Sequence, residues 1–418
     1  MTRPVRVMHF ADTHFGVELY GKLDPETGMN TRLLDFKRSL NLAIDRALDE
    51  DIDLAVFAGD AYKNRDPRQT EQREFADCVR RLTQAGVPVV LLVGNHDMPP
   101  IRGRANAVEI YRTLGVRHTH VFSKADIQIL HTRVGPVRIA ALPYLVKGYS
   151  IAREEFQGKT IDETRRLLED KYVGYLQWFC NEIQNADDNI PTILCGHFWV
   201  SGAQLSSREQ NYFGPGEPQV PLSALTAPQF DYVALGHIHK HQDLNRGQHP
   251  PVVYSGSPDR IDFGEKDEEK GFVLARVQKG AAEYEFVPLP ESRPFIEITV
   301  DPVPGDDPTE QIVAAIKRHR LRNAVVRLSY SVPQGQQGEI REKEIREALG
   351  AAFMVAAIQR NVQRDRNARN SQLTDTLSAR EALSLYIDTR EDWRPQKSRL
   401  MEYAEPLFAE QEKEEVIA

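Results

Sequence analysis

Cysteine is scarce in this chain: Cys78, Cys180 and Cys195 are the only three in 418 residues, far apart and odd in number. That pattern supplies neither a disulfide framework nor a CxxC metal knuckle, and it fits a reducing compartment. Long apolar runs are missing as well. The longest, Val87 to Val93, is far short of the ~20 residues that a membrane-spanning helix needs. Met1-Thr2-Arg3-Pro4-Val5-Arg6 passes straight into a strand-like stretch with no signal-peptide apolar region, so the expected location is cytoplasmic, away from a membrane. No fixed-period repeat is present. The 26 glycines and 25 prolines are spread along the chain, and 41% hydrophobic with 27% charged residues is the balance of a globular protein, which excludes collagenous, low-complexity and wholly disordered classes.

Positive charge is in deficit, with a net charge of −8, yet residues 402–418 alone hold six glutamates against Lys413. Most of the acidity is therefore a tail. A polyanion meets local potential rather than the whole-chain sum, so the sign of the total excludes little.

The length allows two or three domains. Short β-branched runs at Val5 to Phe10, Leu54 to Phe57, Val87 to Val93, Thr192 to Cys195, Tyr232 to Leu235 and Val252 to Ser255 predict buried strands. Helical patterns between them, over Arg32 to Asp49, Thr70 to Gln84 and about Thr164 to Gln184, predict an α/β domain over residues 1–290. From Val287-Pro288-Leu289-Pro290 the pattern changes, and residues 291–360 predict a small α+β domain of β-α-β-α-β order. Residues 361–377 predict a linker. Ser378-Ala379-Arg380-Glu381 is a capping-box signature for a helix with Leu383, Tyr386 and Ile387 on one face. A second helix after Pro395 places Leu400, Ala404, Leu407 and Phe408 on one stripe, with Pro406 expected to kink or end it. Together 378–418 predict a helical segment with an acidic tail.

Polar ligand-type residues fall just past the predicted strands: Asp12-Thr13-His14, Gly59-Asp60, Gly94-Asn95-His96-Asp97, Gly196-His197 and Gly236-His237-Ile238-His239. Open α/β sheets bind ligands at that end of their strands. The glycines let the backbone turn sharply, and residues i and i+2 in extended chain point to one side, so each of the pairs Asp12/His14 and His237/His239 is expected to reach one centre. Asp12, His14, Asp60, Asn95, His197, His237 and His239 are nitrogen and oxygen donors without thiolate, a set suited to Mn, Fe or Zn. Seven donors fit two ions about 3.5–4 Å apart with a bridging carboxylate, for which Asp60 is the natural candidate. Such a pair suits in-line displacement at phosphorus.

The ordered motifs DxH, GDx, GNHD, GH and GHxH resemble those of the calcineurin-like metallophosphoesterases. Asp12-Thr13-His14-Phe15-Gly16, then Gly21 to Pro25 with Asn30-Thr31-Arg32, and the stretch from Tyr254 to Glu265 further resemble the SbcD exonuclease family. That resemblance implies a layered β-sandwich core flanked by helices, a capping domain that shapes DNA access, and C-terminal helices that dock on a coiled-coil ATPase, SbcC. It implies two divalent ions, most often Mn2+: Asp12, His14 and His239 on one, Asn95, His197 and His237 on the other, with Asp60 between. His96 is implied as the group that protonates the leaving 3′ oxygen or stabilises the transition state. It also implies 3′ to 5′ degradation of duplex ends, cleavage of single strands or hairpins, and self-association near Thr70 to Leu114, hence a homodimer. The sequence departs from several relatives at Lys63, where they carry a second His. Lysine there suits phosphate contact rather than proton transfer.

Lys63, Arg65, Arg102, Arg104 and Arg260 stand beside the motifs as candidate DNA contacts, and Lys317, Arg318, Arg320, Arg322, Arg327 and Arg360 add basic charge further on. Gly158-Lys159-Thr160 lacks the earlier glycine of a P-loop, since position 153 is Arg, so ATP hydrolysis is assigned to the partner. The rival readings are a phosphoesterase acting on nucleotides or phosphoproteins, and a non-catalytic scaffold on the same fold.

Overall fold

The computed structural model describes residues 3–99, 103–146, 157–207, 209–303, 305–333, 337–363, 379–388, 390 and 392–415. They fall into two units. The first comprises Met1–Glu297 with Leu321–Val326 and Ala351–Ala356; the second comprises Ile298–Arg320, Arg327–Gly350 and Ala357–Ala418.

In the first unit, strands β1 (Val5–Phe10), β2 (Leu54–Phe57), β3 (Val89–Leu92) and β4 (Thr119–Phe122) run parallel. A second sheet collects β5 (Asp126–Thr132), β6 (Gly135–Leu142), β7 (Thr192–His197), β10 (Tyr232–Gly236), β11 (Gln242–Asp243) and β12 (Val252–Tyr254), while the short β8 (Trp199–Val200) and β9 (Gln219–Val220) pair with each other. The chain then returns to the first sheet as β13 (Gly271–Gln278) and β14 (Ala281–Pro288). The orders are β14-β13-β1-β2-β3-β4 and β11-β12-β10-β7-β6-β5. Antiparallel hairpins β13–β14 and β5–β6 close one edge of each sheet. The apolar runs do not announce these hairpins, because in stretches such as Ala-Ala-Glu-Tyr-Glu-Phe-Val-Pro the polar residues of the exposed face interrupt the signal.

The six apolar runs do form strands, and their unbroken hydrophobicity has a cause: both faces are covered. Val7, Val56, Val90 and Leu92 turn inward against Ile139, Cys195, Ala234 and Val253 of the other sheet. Their neighbours Met8, Phe10, Phe57 and Leu91 turn outward under α1 (Thr31–Asp49) and α2 (Gln69–Gln84). A short α3 (Glu109–Thr113) follows. On the outer face of the second sheet lies α4 (Ile161–Ala186), which buries Leu168, Tyr172, Leu176 and Phe179 on Leu194, Val233 and Tyr254. Thr160, the last residue of the P-loop-like triplet, is the N-cap of α4 and forms a capping box with Glu163.

One polar group interrupts the inter-sheet core. His9, fully buried, takes the Tyr232 hydroxyl at Nδ1 (3.0 Å) and donates from Nε2 to the Leu235 carbonyl (3.1 Å). It ties β1 to β10, the strands that lead into the DxH and GHxH motifs.

Strands β15 (Phe295–Val300), β16 (Val325–Pro333) and β17 (Met354–Gln363) form a three-stranded sheet in that order. Strand β17 runs three residues into the stretch read as a linker, where Asn361 and Val362 are exposed. After a short α5 (Glu209–Tyr212) in the first unit, the second unit packs α6 (Pro308–Lys317) on α7 (Glu342–Ala348). Helices α8 (Ala379–Asp388) and α9 (Lys397–Glu415) pack on each other, with ion pairs Arg380–Glu405 and Lys397–Asp388. Pro406 lies inside α9 and does not end it; the site is exposed, so the Glu402 carbonyl that loses its helical partner can turn to water. Ile387 is buried and Leu383 half-buried, but Tyr386 is exposed. Ser378, Arg102 and most of 361–377 lie outside the described residues.

Burial pushes the pKa of His9 down to about 3 from an ordinary 6.5. The unfolded state therefore takes up a proton between those values while the native state does not, and this group's contribution is complete above pH 6.5 and declines as pH falls toward 3. Denaturant unfolding of His9→Gln against the parent is expected to show a stability difference that shrinks below pH 6.5, by up to about 1.4 kcal/mol per pH unit. A difference independent of pH would contradict the buried neutral ring.

Candidate functional site

The five motif turns meet at one rim of the facing sheets, but not by the backbone geometry the sequence suggests. Of the glycines that precede them, only Gly59 takes the left-handed region, at φ 101°. The ligand-type residues take it themselves: Asp12 at φ 55°, His14 at 42°, Asp60 at 60° and His237 at 94°. Such conformations cost on the order of 1–3 kcal/mol each and persist only where the surroundings over-determine them. Gly94 serves close approach instead, since a Cβ there would stand 2.1 Å from Asp60 Oδ1.

Hydrogen bonds between turns hold this strain. Asp12 N–H donates to the Gly59 carbonyl (2.9 Å), and Phe15 N–H to that of Ala61 (2.9 Å). The Asp12 carboxylate accepts from His237 N–H (3.0 Å). Asp97 is the hub: its buried carboxylate accepts main-chain N–H groups of Asp60 (2.9 Å), Ala61 (3.0 Å) and Gly94 (3.1 Å), locking the GDx turn to the GNHD turn. Burial and the Asp60 charge push its pKa up to about 7, against the pull of those N–H groups.

The donor atoms converge in two sets. His14 Nε2 stands 3.1 Å from His239 Nε2 and 3.8 Å from Asp60 Oδ2, and Asp12, His14 and His239 place one donor each within 4.8 Å of one another. On the other side, His197 Nε2 is 3.4 Å from Asp60 Oδ2 and 3.0 Å from Asn95 Oδ1, and Asn95 Oδ1 is 3.0 Å from His237 Nδ1. Asp60 belongs to both. The pair His237/His239 thus divides between the two sets, because the positive φ at His237 breaks the extended geometry on which the same-side expectation rests. Ligands 2.0–2.2 Å from one cation stand roughly 3.0–3.5 Å apart when adjacent in its shell, a range met by the 3.0–3.4 Å separations in both sets, with the 3.8 Å from His14 to Asp60 fitting a wider ligand angle. The residues present fit a pair of divalent ions.

The imidazoles are oriented from behind. His197 Nδ1 donates to the Ala58 carbonyl (2.7 Å) and His239 Nδ1 to Glu265 (2.8 Å), which turns each Nε2 toward the centre. His237 Nε2 lies 3.2 Å from Glu217, itself contacted by the Tyr144 hydroxyl at 3.1 Å. The field is strongly negative. Burial opposes charge on His197, yet Asp60 and Asp12 carry its pKa up to about 9; burial likewise opposes charge on His239, where Glu209 and Glu265 carry it to about 10. His14 and His96 go the other way, pushed down by burial.

A cavity of ≈ 270 Å³ opens over these groups, lined by the carboxylates of Asp60, Glu209, Glu217, Asp262 and Glu265 against the ammonium of Lys63. His96 lines it too. Its ring meets that of His14 edge-on, and its Nδ1 donates to the Lys63 carbonyl (2.8 Å). Arg260 does not reach the cavity lining; its guanidinium donates to Ser292 Oγ and the Glu268 carbonyl, both at 2.7 Å. Arg65 and Arg104 are exposed outside the lining, and Arg102 is outside the described residues. Sequence reasoning gives no role to Asp97 or Glu265, although both stand within the motifs. Glu209 and Glu217 carry no sequence signal at all, Glu209 opening the one-turn α5 and Glu217 lying in the bend just before β9.

Comparison with known proteins supplies the family. Residues 5–241 match the family of calcineurin-like phosphoesterases. The SbcD component of the nuclease SbcCD from Bacillus subtilis is 27% identical over 297 residues, 70% of this chain and 72% of that protein. The protein of the same name from Rhodobacter capsulatus is 27% identical over 334 residues, 76% of each chain. Among solved structures, a dimetal phosphatase from Danio rerio aligns with a TM-score of 0.41 at 11% identity, over 68% of this chain and 98% of that one. With more than half of its residues matched and the donor set in place, the chain belongs to the calcineurin-like phosphoesterase family, the metal-dependent hydrolases of phosphate esters.

Proposed function

We propose that the chain is a DNA nuclease of the SbcD type, which hydrolyses phosphodiester bonds with two divalent ions, Mn2+ by preference. The observation that carries this reading is the convergence of Asp12, His14, Asp60, Asn95, His197, His237 and His239 beneath one open cavity, whose wall His14, Asp60, Asn95, His237 and His239 reach while Asp12 and His197 lie buried behind it, in a chain similar over 70% or more of its length to proteins named as nucleases. When bound, the ions supply an activated water and neutralise charge on the phosphoryl group. The chain's own residues do the rest. Asp60 is shared between the sites. The Lys63 ammonium at the cavity wall meets a phosphate oxygen of the substrate. His96, with Nδ1 committed to the Lys63 carbonyl, presents Nε2 as the atom that exchanges a proton with the leaving 3′ oxygen.

In the same reading, the substrate is a duplex end degraded 3′ to 5′, or a single-stranded or hairpin segment cut internally, in the cytoplasm at the nucleoid. The protein works as a homodimer. Residues 291–360 shape access of DNA, and the α8–α9 pair, whose two helices pack on each other, docks on the coiled-coil ATPase SbcC. Among the described residues no helix is long and apolar enough to cross a membrane.

Digestion of 3′-labelled and 5′-labelled duplex with Mn2+, with and without the ATPase partner, is expected to release label first from the 3′ end. Release from the 5′ end alone, or inertness toward DNA alongside turnover of nucleotides or phosphoproteins, would sink the proposal. His96→Ala is expected to keep both ions by metal analysis and lose about 10²–10⁴-fold in turnover, whereas Asp60→Ala loses bound metal as well. Gly94→Ala, which drives a methyl into Asp60, is expected to lower metal content and melting temperature together, read by metal analysis and calorimetry.

A further inference from the structure

We infer that Glu265, anchored by the buried Lys270, is the positioning residue for one of the two cation sites: it fixes His239 and through it the ion shared with His14 and Asp12. The inference rests on the two-metal reading above. Every polar atom of His239 except Nε2 is held. Its Nδ1–H donates to Glu265 Oε1 (2.8 Å), its main-chain N–H to Glu209 Oε1 (2.8 Å), and its carbonyl accepts from Ser257 N–H (3.0 Å) and Lys270 Nζ (3.1 Å). Only Nε2 is left to face His14.

Glu265 and Lys270 are each 2% exposed. The second Glu265 oxygen takes the Lys270 ammonium (2.8 Å) and the Ile261 N–H (3.0 Å), and Lys270 also meets Ser257 Oγ (3.0 Å) and Glu268 Oε2 (2.8 Å). A buried lysine is costly unless its charge is matched, and of the two carboxylates that match it here, Glu265 is the one that orients the ring. The stretch from Ser255 to Lys270 thus contributes Ser257, Glu265 and Lys270 to holding this one residue. A carboxylate behind a ligating histidine fixes its tautomer and raises the basicity of the opposite nitrogen. The other set rests on different groups, the Ala58 carbonyl behind His197 and the Glu217 carboxylate 3.2 Å from His237 Nε2, and Glu265 bonds to neither of its imidazoles. Loss of Glu265 should therefore act on one ion and spare the other.

The test is titration of Mn2+ into the full-length, metal-stripped protein, with free Mn2+ and the spin-coupled pair followed by electron paramagnetic resonance. The parent is expected to take two ions. In Glu265→Gln one ion weakens by about 10–100-fold and the other shifts less than about twofold. Glu265→Asp, which keeps a charge for Lys270 but withdraws the carboxylate by one methylene, gives the same asymmetric loss and guards against a folding failure in the first variant. Glu268→Gln removes a Lys270 partner that does not touch His239; it lowers the melting temperature and leaves both affinities unchanged. Equal loss of both ions in the Glu265 variants, no loss at all, or the same loss in Glu268→Gln would overturn the inference. A folded parent that binds fewer than two ions would instead overturn the two-metal reading on which it rests.

Discussion

Carboxylates and imidazoles crowded into a dry site repel one another or go unpaired, and the first unit is arranged to hold such a crowd in place. Asp60 sits between His14 and His197 with almost no exposure, and Asp12 lies against the same groups. Burial alone would neutralise these carboxylates. Opposing imidazoles hold Asp60 well below the ordinary carboxylate range, while Asp12, where burial prevails, rises to about 6. An assembly of this kind is a poor structural element and a good cradle for cations.

Holding it demands stiffness. The strained turns at Asp12, His14, Asp60 and His237 are stitched to one another rather than to the outer helices, with Asp97 binding two turns and the Asp12 carboxylate a third. Behind them, His9 fixes β1 to β10, so the strands that end in DxH and GHxH cannot slide without breaking buried hydrogen bonds. The hydrophobic layers add bulk stability, but these polar links set the register of one motif against another. From strand to turn to centre, each level limits the freedom of the next.

Much of this is legible in the sequence because the period of a strand and the punctuation after it are local. The six buried strands, the three long helices and the order of the motifs all follow from runs of apolar residues and the polar residues just past them. What fails is also local in origin. Two hairpins escape because one exposed face dilutes the apolar signal, and the glycine argument misjudges which residues turn, since close approach and positive φ look alike in a sequence. Of the two effects expected of Pro406, ending the helix does not occur, since the helix runs on to Glu415.

The amino-acid order by itself determined which donors exist and which strand delivers each, because both depend on neighbours a few residues apart. The motif resemblance also implied how the donors divide into two sets, but only the tertiary structure decided by what backbone geometry His237 and His239 part company, and that Asp97, Glu209, Glu217 and Glu265 stand behind them. Those are relations between residues up to more than two hundred positions apart, fixed by sheet packing and backbone strain. Arg260 shows the same limit from the other side: its neighbours in sequence suggest a cation beside the centre, and its neighbours in space turn it to Ser292 and Glu268.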